Sequence, residues 1–267
     1  MNRVVLITGA AHGLGRALAQ KYLSAGWRVI ASDVDDLSMA WMLEHKQAFV
    51  INMDITSDVS VNSAFTKIRD ENIVIDLIIN NAGIDCYFPL SEAPVDYFKQ
   101  VFEVNVFGGY RVNQIFLPVI RQPGGRIIHI SSESLNLTGP FMPYPLTKKL
   151  VEGYAKALRI ELRFSGIDVV VVRPGAINTR LIDTVSNLKP AEGKWRLEKQ
   201  FKKFAATASK EIGKTITPEQ AASFIYSISH IPHPASVYKI NNTLQLRIAA
   251  LLPFRWIEKL IYRRLLN

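Results

Sequence analysis

The sequence predicts one doubly wound α/β domain, and three observations predict it. Seven short apolar runs rich in β-branched residues recur along the chain, and longer amphipathic stretches separate them. A glycine-rich turn joins the first run to the first of those stretches. Runs that are apolar on both faces suit strands of a parallel sheet, because helices cover each side of it. Strand–helix alternation at this length implies βαβ units with right-handed crossovers. The expected architecture is a Rossmann-like sheet of about seven strands.

Strands are expected at Val4–Ile7, Val29–Ala31, Phe49–Ile51, Leu77–Ile79, Ile127–Ile130, Val169–Val172 and Val237–Ile240. Helices are expected at Leu14–Ser24, Val59–Arg69, Val95–Arg121, Tyr144–Phe164 and Pro218–Ser229. The first run is too short for a secretory or membrane segment, so the chain is expected to begin as a folded strand. The 267 residues, 48% of them hydrophobic, are enough for one large core. Residues 1–243 are expected to form the nucleotide-binding domain, with a substrate loop near 180–215 and a helical tail at 244–267.

Composition narrows the chemistry. Cys86 is the only cysteine, which excludes an internal disulfide and fits a reducing, cytoplasmic setting. The five histidines show no metal-ligand spacing, so no catalytic metal is expected. The formal charge of +9 is concentrated late in the chain. Lys189 to Lys214 holds eight Lys/Arg against three Asp/Glu, and Leu244 to Asn267 holds five against one. A solvated basic face explains the first segment better than nucleic-acid binding, since no helix-turn-helix, finger or RRM pattern is present.

The first strand runs into Thr8-Gly9-Ala10-Ala11-His12-Gly13-Leu14-Gly15. Gly9 allows a sharp turn, Gly13 clears space for a pyrophosphate, and Gly15 permits close helix–strand packing. The next helix then points free N–H groups at the phosphates. Such a turn is a weak signal alone, but its place between a strand and a helix strengthens it. Asp33 ends the second strand, where a carboxylate accepts from ribose hydroxyls and repels a 2′-phosphate. Ala11, His12 and Val34 supply no permanent cation. The expected cofactor is NAD in preference to NADP. A loop-cap role for Asp33 is the bland alternative. Asp54, followed by Ile55 at the end of the third strand, serves either the adenine amino group or a helix start.

Tyr144 and Lys148 stand four apart in a helical pattern and share one face. A phenol with a pKa near ~10 is a poor base at neutral pH. A neighbouring ammonium and a positive nicotinamide favour the phenolate. The spacing alone arises often by chance, and a surface tyrosine above a solvated lysine would explain it. The fifth strand, however, delivers Ser131 and Ser132 to the same sheet edge, where open α/β sheets place ligands. Asn80-Asn81-Ala82-Gly83 ends the fourth strand there too. Asn105, inside the Val95–Arg121 helix, is either an ordinary buried amide or the holder of a relay water behind Lys148.

Taken in order, these motifs resemble the short-chain dehydrogenase/reductase family. The resemblance runs from Val4 to Thr179: TGAAHGLG, Asp33, NNAG, Asn105 within VNVFG, HISS at His129–Ser132, YPLTK, and RPGAINT at Arg173–Thr179. It implies that Tyr144 is the acid/base, that Lys148 lowers its pKa and binds the nicotinamide ribose, and that Asn105 organises a proton relay. Ser132 would polarise the carbonyl. Pro174, Gly175, Ile177 and Thr179 would line the nicotinamide and phosphates. The family spaces its serine and tyrosine thirteen apart, which Ser131 keeps. Ser132 is preferred on strand alternation, with a one-residue deletion in the loop Glu133–Pro143; Ser134 is a distant third choice.

Leu135, Leu137, Phe141, Met142 and Phe88 suggest an apolar pocket, and VNVFGGYRVNQIFLP resembles steroid- and retinol-dehydrogenase-like members. The expected substrate is a lipophilic hydroxysteroid, retinoid or fatty alcohol. A non-catalytic cofactor-sensing relative is the rival reading; such proteins commonly lose the tyrosine or lysine. By the resemblance, Val95–Arg121 and Tyr144–Phe164 pack against twofold copies in a homodimer or homotetramer, with Phe98, Phe102, Leu150, Tyr154 and Leu158 as their apolar surface. The tail, split at Pro253, is either a basic amphipathic element for a membrane interface or a lid over the cleft or a neighbouring subunit.

Overall fold

A computed structural model describes residues 3–137, 139–179, 195–208, 214–249 and 251–266. Residues 180–194 and 209–213, most of the expected substrate loop and part of the first basic segment, lie outside the described residues. Seven parallel strands form one sheet in the order β3-β2-β1-β4-β5-β6-β7. The strands are β1 Val4–Thr8, β2 Arg28–Asp33, β3 Ala48–Asn52, β4 Leu77–Asn80, β5 Arg126–Ile130, β6 Asp168–Pro174 and β7 Val237–Ile240. Each contains the run expected for it.

All five residues of β1 and all four of β4 are buried, because both faces of the sheet are covered. Helices α1 (Gly13–Ser24) and, late in the chain, α7 (Pro218–Ile228) pack one face through Leu18, Tyr22, Ile225 and Ile228. The other face meets α2 (Asp58–Asp70), α4 (Gly109–Phe116) and α5 (Tyr144–Leu162) through Val61, Ile68, Phe116 and Leu162. The order of strands reverses between β1 and β4. At such a reversal the connecting loops diverge and open a crevice at the C-terminal edge.

The expected helix Val95–Arg121 is not uniform. It runs as α3 (Val95–Phe102), a π-helical segment at Glu103–Gly108, α4, and a 3-10 turn at Leu117–Val119. The π segment holds Asn105, whose side chain is committed to the loop after β4. Gly108 lies against Ile55, where a Cβ would meet Ile55 Cδ1 at 2.5 Å. A 3-10 turn at Leu37–Met42 and helix α6 (Glu198–Ala208) were not foreseen.

The tail forms α8 (Leu244–Ala249) and α9 (Phe254–Leu266), separated at Pro253 as expected. No residue of α9 is buried, and Phe254, Trp256, Leu260 and Tyr262 are exposed. It touches α6, where Lys203 Nζ donates to the Leu266 carbonyl at 3.1 Å. No described helix is long and apolar enough to cross a membrane.

Candidate active site

The turn after β1 is built around absent side chains. Gly9 has φ +68°, and a Cβ there would lie 2.8 Å from Ala82 Cα. At Gly15 it would lie 1.8 Å from the Gly9 carbonyl oxygen. Gly13 faces Thr179, whose Cγ2 would stand 3.2 Å from an added Cβ. The turn, the loop after β4 and the segment after β6 therefore converge on one volume. Asn81 holds them in place: its Nδ2 donates to the carbonyls of Thr8 and Gly9 at 3.0 and 3.1 Å. Thr8 Oγ1 accepts from the amides of Asn81 and Ala82. His12 begins α1 with no side-chain cap, which leaves the helix N-terminus free for an anion. A cradle emptied of Cβ atoms beneath an uncapped helix fits a dinucleotide pyrophosphate.

Asp33 stands at the expected strand end. Its Oδ2 accepts from Ala11 N at 3.0 Å and its Oδ1 from Asp35 N at 3.1 Å. It thus caps the turn as well as facing the crevice, since each carboxylate oxygen has a second lone pair. Asp54 Oδ1 accepts from both Thr56 N and Thr56 Oγ1, while Ser57 caps α2. Ile55 is buried and packs on Gly108. Leu14 and Pro174 are buried, Gly83 is exposed, and Gly175 sits so tightly that a Cβ would lie 2.0 Å from the Asn241 carbonyl oxygen. Ile177, bridged to Ile216, carries the chain on to Thr179.

The catalytic candidates meet at the ends of β5 and α5. The Ser132 hydroxyl is a hydrogen-bond partner of the Tyr144 phenol and also accepts from Ser134 N at 3.1 Å. Ser131 is buried and donates to Glu152 Oε1 at 2.8 Å. Glu152 in turn pairs with Arg173 at 2.6 Å. Of the two serines, Ser132 therefore faces the tyrosine. Ser134, whose own hydroxyl has no partner, serves Ser132 through its backbone.

Lys148 is buried, with Nζ 2.8 Å from the Ile130 carbonyl and 5.3 Å from the Tyr144 ring centre. Burial lowers its pKa to about 8. The Tyr144 phenol is itself shifted by its surroundings. Burial pushes the phenol up, the Asp85 carboxylate pushes it further, and only Ser132 acts the other way. The ammonium is aimed at a backbone carbonyl instead of at the phenol oxygen. Asn105 Oδ1 accepts from Ile84 N at 2.8 Å, and its Nδ2 donates to Ile84 O and Thr147 Oγ1. The amide is thus fully paired. A small cavity of about 10 Å³, lined by Asn105, Lys148, Asn80 and His129, lies beside it and has room for one water.

Three groups escaped sequence reasoning. Asp85 and Tyr87 follow NNAG directly and share a hydrogen bond of 2.8 Å from the phenol to Asp85 Oδ2. Glu133 is buried and accepts from Thr243 N at 2.7 Å, tying the serine loop to the start of the tail. An aromatic cluster joins Phe141 to Phe201 and Phe204 of α6, with Trp195 against Phe201 and Tyr87 against Phe204. Of the expected pocket residues, Phe88 and Phe141 are buried, and Leu135, Leu137 and Met142 are half-buried. The aromatic pattern of α6 was a visible signal, masked by the lysines between the rings. Among the described residues, no group of His, Cys, Asp and Glu could hold a metal ion.

Comparison with known proteins agrees with this geometry. Residues 3–189 match the family model described as short chain dehydrogenase. An uncharacterized oxidoreductase of Bacillus subtilis, YusZ, is 30% identical over 99% of both chains. A 3beta-hydroxysteroid dehydrogenase of Caenorhabditis elegans, dhs-16, is 30% identical over 79% of this chain and 57% of its own. A short chain dehydrogenase/reductase of Burkholderia phymatum, solved with NAD, superposes with a TM-score of 0.78 at 21% identity, covering 96% and 94% of the two chains. Other solved chains of the same fold are complexed with NADP.

Proposed function

Because the chain belongs to the short-chain dehydrogenase/reductase family, an NAD(P)-linked oxidoreductase family acting on alcohols, we propose that it interconverts a lipophilic alcohol and its carbonyl with NAD. The observation that carries this reading is the convergence of Ser132, Tyr144 and Lys148 beside the glycine cradle. Gly9, His12, Gly13, Leu14 and Gly15 would hold the pyrophosphate, Asp33 the ribose, and Asp54 and Ile55 the adenine end. Asn81, Ala82, Gly83, Pro174, Gly175, Ile177 and Thr179 would enclose the nicotinamide half. When bound, the dinucleotide supplies the hydride acceptor or donor.

The protein's own residues manage the proton. Ser132 holds the substrate oxygen against the Tyr144 phenol, which gives a proton in reduction and takes one in oxidation. Lys148 keeps an ammonium within reach of that exchange. Asn105 fixes the loop that carries Gly83 and walls the one-water cavity, through which a proton would pass from Lys148. The aromatic cluster over the site favours an apolar substrate. A panel of steroids, retinoids and aliphatic alcohols, screened for NADH absorbance, tests the reading. Turnover confined to sugars or hydroxy acids would overturn the lipophilic assignment.

The serines separate cleanly. Ser132→Ala is expected to lower kcat by roughly a hundredfold, in line with the loss of a polarising hydroxyl. Ser131→Ala acts through the Glu152–Arg173 pair and should reduce stability more than kcat. Steady-state rates beside thermal melts distinguish them, and the reverse order would refute the choice of Ser132.

Two surfaces extend the proposal. Phe107, Tyr110 and Leu150 are exposed on the π segment, α4 and α5, while Tyr154 bonds Asn113 and Leu158 packs on the core. The exposed apolar face thus keeps Leu150 of the expected set and adds Phe107 and Tyr110, and it suits a twofold copy. Sedimentation at micromolar protein should show a dimer or tetramer; a sole 30.0 kDa species would refute it. On α9, exposed Trp256, Leu260 and Tyr262 accompany Arg255, Lys259, Arg263 and Arg264, a pattern suited to an anionic lipid interface. Full-length protein should pellet with anionic liposomes at low salt, and a chain ending near Asn242 should not. If both stay in the supernatant, the tail is a lid or interface element.

A further inference from the structure

Helix α6 roofs the candidate site. Phe201 is fully buried and Phe204 half-buried, both against Phe141, three positions before Tyr144, and Phe204 also meets the Tyr87 ring. Polar contacts hold the roof near both ends. At its start, Arg196 N and Leu197 N donate to the Glu92 carboxylate at 2.6 and 3.1 Å. Further along, Lys203 Nζ donates to the Leu266 carbonyl at the end of α9. The tail helix therefore braces the roof.

That brace is slight. α9 packs on α6, and its half-buried stripe is Ile257, Ile261 and Leu265, spaced four apart. Its other side carries exposed Trp256, Leu260 and Tyr262 among Arg255, Lys259 and Arg263. An anionic bilayer offers those rings fuller burial and those cations a counter-charge. Alone, the eleven residues of α6 are a marginal length for a helix in water, so the roof loosens when α9 leaves. The root of the tail stays. Glu133, buried beside Ser132, accepts from Thr243 N at 2.7 Å and Asn242 Nδ2 at 3.3 Å, and α8 packs on the same loop. A docked tail thus holds the lipid surface at the mouth of the crevice.

We infer that an anionic bilayer surface opens this site. α9 exchanges α6 for lipid, the Lys203 brace is lost, the roof of Phe201 and Phe204 lifts, and the alcohol enters from the bilayer. The inference rests on the lipophilic-alcohol reading of the same site. It adds the form in which that substrate is taken, dissolved in lipid, and a partner that controls access to it.

The test is hydrogen–deuterium exchange of the full chain, with and without vesicles of phosphatidylcholine and phosphatidylserine. NADH production from dodecanol, steroids and retinoids dissolved in the same vesicles is measured in parallel. On the anionic vesicles, α9 amides should exchange more slowly and α6 amides about fivefold faster, the order set by losing one hydrogen bond. Vesicles of phosphatidylcholine alone should change neither. Lys203→Ala should speed α6 without any vesicle. Trp256→Glu with Leu260→Glu, which leaves the inner stripe intact, should suppress the response to lipid. Unchanged or slower α6 exchange on anionic vesicles, whether or not α9 is protected, would overturn the inference. So would a Lys203→Ala protein with the original α6 rate, or a response that survives the two glutamates. Faster α6 exchange on anionic vesicles without NADH production from any of the alcohols would instead overturn the reaction reading and leave the lipid-driven opening standing.

Discussion

Tyr144→Phe is expected to lower kcat by about three orders of magnitude while NADH affinity stays within roughly twofold. The substitution removes one hydroxyl from a phenol paired with Ser132 and leaves the glycine cradle untouched. The pH profile gives a second readout. Oxidation needs the phenolate, and burial together with Asp85 holds the phenol above its ordinary pKa. Alcohol oxidation should therefore accelerate as pH rises toward that raised value, and carbonyl reduction should begin to slow only when the pH approaches it. Both trends should vanish with the residual rate of Tyr144→Phe. Lys148→Ala behaves differently. It leaves the Ile130 carbonyl without its 2.8 Å donor and removes the only buried ammonium described near the tyrosine, so kcat and cofactor affinity should both fall. A Tyr144→Phe protein that retains most of its turnover would end the acid/base assignment.

What the sequence made legible follows from which signals are local. Strand cores such as Val4–Ile7 and Val169–Val172 are apolar on both faces, so they announce a covered parallel sheet without reference to any neighbour. Gly9, Gly13 and Gly15 carry their meaning in spacing, as do Tyr144 and Lys148. The features that local signals left open depend on contacts distant in the chain. Asn105 was expected to be either an ordinary buried amide or the holder of a relay water; its amide bonds Ile84, twenty-one positions earlier, and its side of the π segment also walls the one-water cavity. The Lys148 ammonium beside Tyr144 is held in place by the Ile130 carbonyl, eighteen positions earlier on β5. Asp85 carried no motif at all. Its importance comes from its burial close enough to Tyr144 for its charge to raise the phenol. The difference in surroundings between Ser131 and Ser132 is also set at a distance, by Glu152 accepting from the former.

Cofactor choice should turn on Asp33. The unmodified chain is expected to use NAD over NADP by roughly a hundredfold in kcat/KM, since a 2′-phosphate brought beside an acidic edge meets repulsion of a few kcal/mol in a partly desolvated crevice. Asp33 does not act alone there: Asp35 follows two positions later, and its carboxylate holds His12 Nε2 at 2.8 Å. The one imidazole in the turn is thus already paired with a carboxylate. Ala11 is buried and Val34 exposed, and neither offers charge to a phosphate. Asp33→Ala should narrow the NAD:NADP ratio to within about tenfold. Because Asp33 Oδ2 also accepts from Ala11 N, the substitution loosens the turn as well. That loss weakens both dinucleotides together and cancels in the ratio, whereas removal of charge does not. The ratio is therefore the quantity to measure. Equal or better use of NADP by the unmodified chain would overturn the NAD preference, and an unchanged ratio in Asp33→Ala would shift the discrimination to other residues at that edge.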